Sequence, residues 1–134
     1  MDLVSIRLIT DDVAALAAFY ERLTGGTAVF LNEVFAEVRT ASGTLAIGGT
    51  ATVGLFGAGS AEPAANRSAI IEFLVDDVDA QYLQLTEWVT SFVNEPTTMP
   101  WGNRSLLLRD PDGTLVNLFT PVTPEAIAKF QSPS

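Results

Sequence analysis

Short runs of strand-like residues surround a longer helical pattern in the first half of the chain. Residues 3–9 are β-branched and aliphatic, which predicts a strand. A helix is predicted next, because apolar residues recur at helical spacing between Asp11-Asp12, an N-cap signal, and Gly25-Gly26, a stop signal. Further strand-like runs occupy 27–31, 33–40 and 44–49. The order is therefore βαβββ.

The second half repeats this order. Residues 69–75 predict a strand, and a helical stripe that includes Tyr82 and Trp88 follows. Strands at 103–109 and 114–120 are joined by DPDG at 110–113, a strong turn signal. SIRLITDDV at 5–13 and IIEFLVDDV at 70–78 share one strand-to-helix switch, half a chain apart.

This repetition predicts one α+β domain over 1–134 rather than two domains. We expect repeat one at 1–49, a connector at 50–68, repeat two at 69–122 and a C-terminal tail at 123–134. The Gly- and Ala-rich connector contains a possible extended piece at Val53–Phe56. Each repeat has a sheet too large for one helix to cover, so two repeats are expected to curl around a half-open, barrel-like cleft.

The amino-acid composition excludes several classes of function. The chain has no cysteine and no histidine, so thiol nucleophiles, zinc–thiolate sites and Ser-His-Asp catalysis are excluded. A net charge of −9 argues against nucleic acid as a partner. No apolar run is long enough to cross a membrane, and the first residues lack the features of a signal peptide, so we expect a cytoplasmic protein.

Two segments carry a resemblance to a known family. DDVAALAAFYERLTG at 11–25 and PWGNRSLLLRDPDGTLVNLFTP at 100–121 resemble motifs of the vicinal-oxygen-chelate superfamily, which includes glyoxalase I, bleomycin-resistance proteins and extradiol dioxygenases. The resemblance covers nearly the whole chain. It implies two βαβββ repeats, a small organic ligand in the cleft and a homodimer.

The resemblance also implies a divalent metal, which catalytic relatives hold with residues of the first and last strand of each repeat. Three of those positions match Ser5, Ile70 and Asn117. The fourth, in the last strand of the first repeat, matches Ile47, or Ala46 or Gly48 if the alignment shifts by one residue. A hydroxyl, an amide and aliphatic groups are poor metal ligands. We therefore expect no metal and no cofactor.

The predicted cleft is apolar with a few polar points. Strand alternation places Ser5, Arg7 and Ile9 of one strand on its inner face, with Glu72 in the second repeat and Asn117 near the end. Pairing Arg109 with Thr114 across the DPDG turn would bring Arg104 inward as well, and Trp101 lies at the mouth of this hairpin.

These residues also have structural interpretations. Arg7 and Glu72 occupy equivalent positions and are expected to form a cross-strand ion pair more readily than a ligand site. Arg104 can anchor the preceding loop, Trp101 can plug the hairpin, and Asn117 can be a satisfied core amide. The predicted ligand-binding set is Ser5, Arg7, Glu72, Trp101, Arg104 and Asn117.

Two functions follow. The favoured one is metal-independent binding of a small organic ligand, as in a resistance protein that sequesters its ligand. The alternative is an enzyme of the same superfamily, a lyase, isomerase or dioxygenase with a displaced or non-standard metal site. In that case Glu72 or Glu37 would supply acid/base chemistry, although the assumed hairpin pairing points Glu37 away from the cleft.

Overall fold

The computed structural model describes residues 1–131, so the last three residues of the predicted C-terminal tail lie outside the described residues. The chain is α+β, with a βαβββ order that occurs twice, as predicted. The elements are β1 Ser5–Thr10, α1 Val13–Thr24, β2 Val29–Asn32, β3 Phe35–Arg39, β4 Thr44–Gly49, a 3-10 turn Thr50–Thr52, α2 Val53–Phe56, β5 Ile70–Leu74, α3 Val78–Leu85, β6 Thr97–Thr98, β7 Asn103–Arg109, β8 Leu115–Pro121 and α4 Pro124–Lys129.

The strands form two four-stranded sheets of the same topology. One sheet has the order β1-β4-β3-β2 and the other β5-β8-β7-β6. In each sheet the first strand of the repeat lies parallel to the last, and the remaining pairs are antiparallel. The chain contains two compact units that follow the repeats, residues 1–67 with 111–113, and residues 68–110 with those from 114 on.

In the first unit, α1 packs on one face of its sheet. The buried apolar residues of this layer are Leu8, Leu16, Ala17, Tyr20, Ala36, Val38, Leu45 and Ile47. They come from alternate positions of the strands and from one stripe of the helix, as strand and helix geometry require. The opposite face of the sheet carries Arg7, Ile9, Phe35, Glu37 and Ala46.

In the second unit, α3 packs on one face of its sheet, as α1 does in the first. Its core is formed by Ile71, Val78, Leu85, Val89, Leu106, Leu108, Val116 and Leu118. The Thr120 hydroxyl accepts a hydrogen bond from the Val78 backbone N–H at 2.9 Å, which joins the last strand to the start of α3.

Local capping explains where the two main helices begin. The carboxylate of Asp12 accepts from the backbone N–H of Ala15 at 3.0 Å, and that of Asp77 accepts from Ala80 at 3.2 Å. α1 ends at Gly25, whose φ of 75° is left-handed. These aspartates are caps, as the sequence predicted.

Two local predictions are wrong. Val53–Phe56 is a helical turn, α2, rather than an extended piece. The predicted pairing of Arg109 with Thr114 is also wrong, because Arg109 pairs with Leu115. The Asp110 carboxylate accepts a hydrogen bond from the Thr114 backbone N–H at 3.0 Å. Thr114 therefore belongs to the loop, and the pairing of the two strands begins one residue later, at Leu115.

No helix within residues 1–131 is both long enough and apolar enough to span a membrane.

Candidate functional site

The open face of the first sheet carries a row of three side chains across three strands. Arg7 of β1 pairs with Ala46 of β4, and Ala46 pairs with Glu37 of β3, so all three lie on the face opposite α1. Glu37 therefore lies on the same face as Arg7. The expectation that Glu37 points away is wrong, because it depended on matching Ile47, rather than Ala46, to Asn117.

The guanidinium of Arg7 lies against two aromatic rings. Its Cζ is 4.5 Å from the ring centroid of Phe35 and 5.1 Å from that of Phe56. Phe35 is the first residue of β3 and lies on the same face of the sheet as Arg7, whereas Phe56 is the last residue of α2. Both contacts are cation–π interactions of an exposed guanidinium.

A cavity of about 300 Å³ adjoins Arg7. Its lining residues are Arg7, Ile9, Val53, Phe56, Ser60 and Ala61, which come from β1, from α2 and from the connector that follows α2. The lining is mostly apolar, with one guanidinium and one hydroxyl. This is the usual composition of a small-molecule pocket, at the lower end of the usual size range.

Gly48 is closely packed against residues beside this cavity. A Cβ at Gly48 would be 3.1 Å from Thr52 Oγ1, 3.4 Å from Ile9 Cδ1 and 3.7 Å from Arg7 Cδ. The equivalent position of the second repeat is Phe119, which is paired with Leu74 as Gly48 is paired with Ile9. The first repeat thus has no side chain where the second carries a large ring.

The open face of the second sheet is covered only in part, because Ile70 and Leu74 on it are exposed. Phe119 is buried, and its ring lies 5.2 Å from that of Phe130, the residue that follows α4. Nearby on the same face, Asn117 Nδ2 donates to Glu72 Oε2 at 2.8 Å. The buried Asn117 Oδ1 and Ser105 Oγ have no hydrogen-bond partner among the described residues. The predicted ion pair between Arg7 and Glu72 stays a prediction.

Arg104 lies on the α3 face of its sheet. It pairs with Thr120, and its guanidinium donates from Nε and Nη2 to the Asp79 carboxylate of α3, at 2.9 and 3.0 Å. These hydrogen bonds lower the pKa of Asp79 and raise the pKa of Arg104. The prediction that Arg104 shares the face of Asn117 is wrong, and the one-residue register difference is the reason.

Trp101 and Ser5 make no contact that assigns them a role. The Trp101 side chain is 67% exposed, in a tight turn in which the Gly102 N–H donates to the Met99 carbonyl at 2.9 Å. This exposure contradicts the interpretation of Trp101 as a hairpin plug. Ser5 is exposed at the start of β1. Ligand binding by either residue stays a prediction.

The donor set at the metal positions of the family does not fit a divalent metal. The strand register makes Ala46, not Ile47, the counterpart of Asn117, because Ala46 lies beside Arg7 as Asn117 lies beside Glu72. Alanine and Ile70 have no donor atom, and the Asn117 Oδ1, whose amide nitrogen donates to Glu72, is a single neutral donor. Within the described part of the chain, no three His, Cys, Asp or Glu residues are grouped to hold a metal ion.

Comparison with known proteins identifies the family of the chain. A sequence model of the Glyoxalase/Bleomycin resistance protein/Dioxygenase superfamily matches residues 2–118. The chain belongs to this superfamily. No curated protein is significantly similar to the chain in sequence.

Solved structures of the superfamily share the fold. A glyoxalase/bleomycin resistance protein/dioxygenase family enzyme from Burkholderia phytofirmans PsJN is 18% identical, with a TM-score of 0.79 over 91% of this chain and 100% of that one. A glyoxalase/bleomycin resistance protein/dioxygenase from Nocardioides is 21% identical, with a TM-score of 0.74 over 92% of this chain and 85% of that one. At these identities the likeness establishes the fold alone.

Sequence reasoning missed the aromatic and small residues that shape the pocket. Phe56 was assigned to a connector, and Phe35 was not singled out. The alternation of β3 carries a signal for Phe35, since Phe35 and Glu37 are two residues apart and share a face. Nothing in the residues 50–68 indicated that an aromatic ring would reach back to Arg7.

Proposed function

We propose that the protein binds a small organic ligand on the open face of the first repeat, in the cavity beside Arg7, without a metal ion. The observation that carries this proposal is the guanidinium held by Phe35 and Phe56 at the edge of an apolar cavity of about 300 Å³. A guanidinium at the edge of an apolar cavity offers a ligand both a charged contact and apolar surface.

Metal independence is supported by the chemistry of the family's ligand positions. An alanine, an isoleucine, an exposed serine and one neutral amide oxygen stand where a divalent ion requires several strong donors. Sequestration of the ligand, rather than its turnover, follows as the simplest function for such a pocket. Assembly as a homodimer, a cytoplasmic location and a ligand shared between the repeats stay predictions.

The enzymatic alternative has less support. The Glu37 carboxylate is bound by Arg39 Nη2 at 2.8 Å, and the Glu72 carboxylate accepts from Asn117 at 2.8 Å. Neither carboxylate is among the residues that line the cavity. Acid/base catalysis by Glu37 or Glu72 therefore stays a prediction.

The proposal is tested by NMR titration of protein that has been dialysed against a chelator. Benzoate, benzamide and benzyl alcohol serve as probes, and binding should shift the amide resonances of Ile9, Gly48 and residues 53–61. Restoring Mg²⁺, Mn²⁺ or Ni²⁺ should leave the affinity unchanged. Stoichiometric metal in the purified protein, with binding only in its presence, would refute metal independence.

Two exposed alanines of the connector provide a matched pair of variants. Ala61 lines the cavity, whereas Ala58 lies outside its lining. Ala61→Trp should fill the cavity and abolish binding of every probe, and Ala58→Trp should retain it. If none of the probes shifts the resonances of the pocket, or if both variants bind equally, the cavity is not the ligand site.

A further inference from the structure

The Arg7 guanidinium lacks a counter-ion within its own unit. No carboxylate among residues 1–67 or 111–113 forms an ion pair with it, and the two phenylalanine rings are its partners there. Aromatic rings interact with the face of a guanidinium but accept none of its five N–H groups in the plane. Those donors remain available to a bound group.

The nearest acidic residue on this face is held elsewhere. Glu37 lies two strands from Arg7 with only Ala46 between them, so the Cβ atoms are about 10 Å apart by the spacing of strands. Extended glutamate and arginine side chains can bridge such a distance, and the methyl group of Ala46 does not block them. Glu37 instead forms an ion pair with Arg39 at 2.8 Å along β3.

From this arrangement we infer that the ligand is a small monocarboxylate with an apolar body, and that Arg39 is a positioning residue that keeps Glu37 from taking the ligand's place on Arg7. The inference rests on the proposed function, because it names the ligand class of the same pocket.

Charge and shape favour a carboxylate over other anions. A planar guanidinium binds a carboxylate through two parallel hydrogen bonds. The lining contains one cation and no second positive group, which matches one negative charge better than the two of a phosphate. The rest of the lining is apolar, apart from Ser60, and fits an apolar ring or a short branched chain.

The ligand class is tested by calorimetry with matched probes. Benzoate should bind at least about tenfold more tightly than benzamide, since a hydrogen bond to a charged group is stronger than one between neutral groups. Arg7→Gln should remove this preference while retaining weak binding of benzamide. Phenylphosphonate should bind more weakly than benzoate.

The role of Arg39 is tested by a double-mutant cycle. Arg39→Gln should weaken benzoate binding several-fold, because Glu37 is then free to reach Arg7, and benzamide binding should change little. Glu37→Gln in the Arg39→Gln background should restore benzoate affinity. A merely structural role for Arg39 would weaken both probes and would not be rescued by the second substitution.

The outcomes separate this inference from the proposed function. If benzamide and benzoate bind equally well and Arg7→Gln changes neither, the carboxylate assignment is wrong although the pocket binds ligands. Tighter binding of phenylphosphonate than of benzoate would likewise overturn it. Loss of benzoate affinity in Arg39→Gln without rescue would refute the positioning role alone. Absence of binding by every probe would refute the proposed function itself.

Discussion

Gly48 provides a quantitative test of the packing beside the pocket. In Gly48→Ala the new Cβ would be 3.1 Å from Thr52 Oγ1 and 3.4 Å from Ile9 Cδ1. Carbon atoms prefer separations of about 3.5–4.0 Å, so Thr52 must move by a few tenths of an ångström. Thr52 is buried, and its hydroxyl donates to the Gly49 carbonyl at 2.7 Å, so this movement strains a hydrogen bond.

The expected cost can be worked out from opposing effects. Overpacking of a well-packed site costs about 1–3 kcal/mol, whereas replacing glycine by alanine at an unstrained position gains about 0.4–1 kcal/mol from the unfolded chain. We therefore expect Gly48→Ala to lower the free energy of unfolding by about 1 kcal/mol. Urea denaturation monitored by tryptophan fluorescence measures this change.

Two further variants make the reasoning refutable. Thr52→Ala removes the obstructing oxygen, so Gly48→Ala should become neutral or stabilising in that background, with a coupling energy of about 1 kcal/mol. Gly54→Ala is the matched control in α2, because its Cβ would meet no atom within 4 Å. If Gly48→Ala is as well tolerated as Gly54→Ala, the close approach of β4 to Thr52 is absent.

Three other predictions concern the second repeat. In Arg104→Gln the pKa of Asp79 should rise toward its ordinary value, which a carboxyl NMR titration measures. Because the pKa of Asp79 is lowered in the folded protein, the pair stabilises the fold at pH values above the ordinary pKa of an aspartate. This stabilisation is lost as the pH falls through the lowered pKa of Asp79. Leu106→Ala removes a fully buried side chain and should cost about 2–5 kcal/mol in urea denaturation, whereas a cost below about 1 kcal/mol would mean that α3 does not pack on β7 as described. Gly113→Ala forces an L-residue to a φ of 86° and should lower the free energy of unfolding by about 1–2 kcal/mol in the same assay. An unchanged free energy of unfolding would mean that the turn has another conformation.

Features determined by short-range chemistry were predictable from the sequence. Asp12 and Asp77 are N-caps because a carboxylate satisfies free backbone N–H groups at a helix start, and this requires only local sequence. The alternation of Leu8 with Arg7 and of Val116 with Asn117 likewise follows from strand geometry. The βαβββ order of each repeat was predicted from these local patterns as well.

Features determined by one residue of register were not predictable. The Asp110 side chain takes the N–H of Thr114, so the hairpin closes one residue later and Arg104 turns toward α3. The same one-residue uncertainty matched Ile47, rather than Ala46, to Asn117, although Ala46 pairs with Arg7 as Asn117 pairs with Glu72. The position of Phe56 depends on how the chain turns after β4, which a Gly- and Ala-rich segment does not indicate.

The most direct test of a metal-free ligand site beside Arg7 is a crystal structure of chelator-treated protein soaked with benzoate. The account predicts the benzoate ring in the cavity between Ile9 and Ala61, its carboxylate on the Arg7 guanidinium, and Glu37 still bound to Arg39. Benzoate bound instead at Asn117 through a coordinated cation, with the cavity beside Arg7 empty, would contradict it.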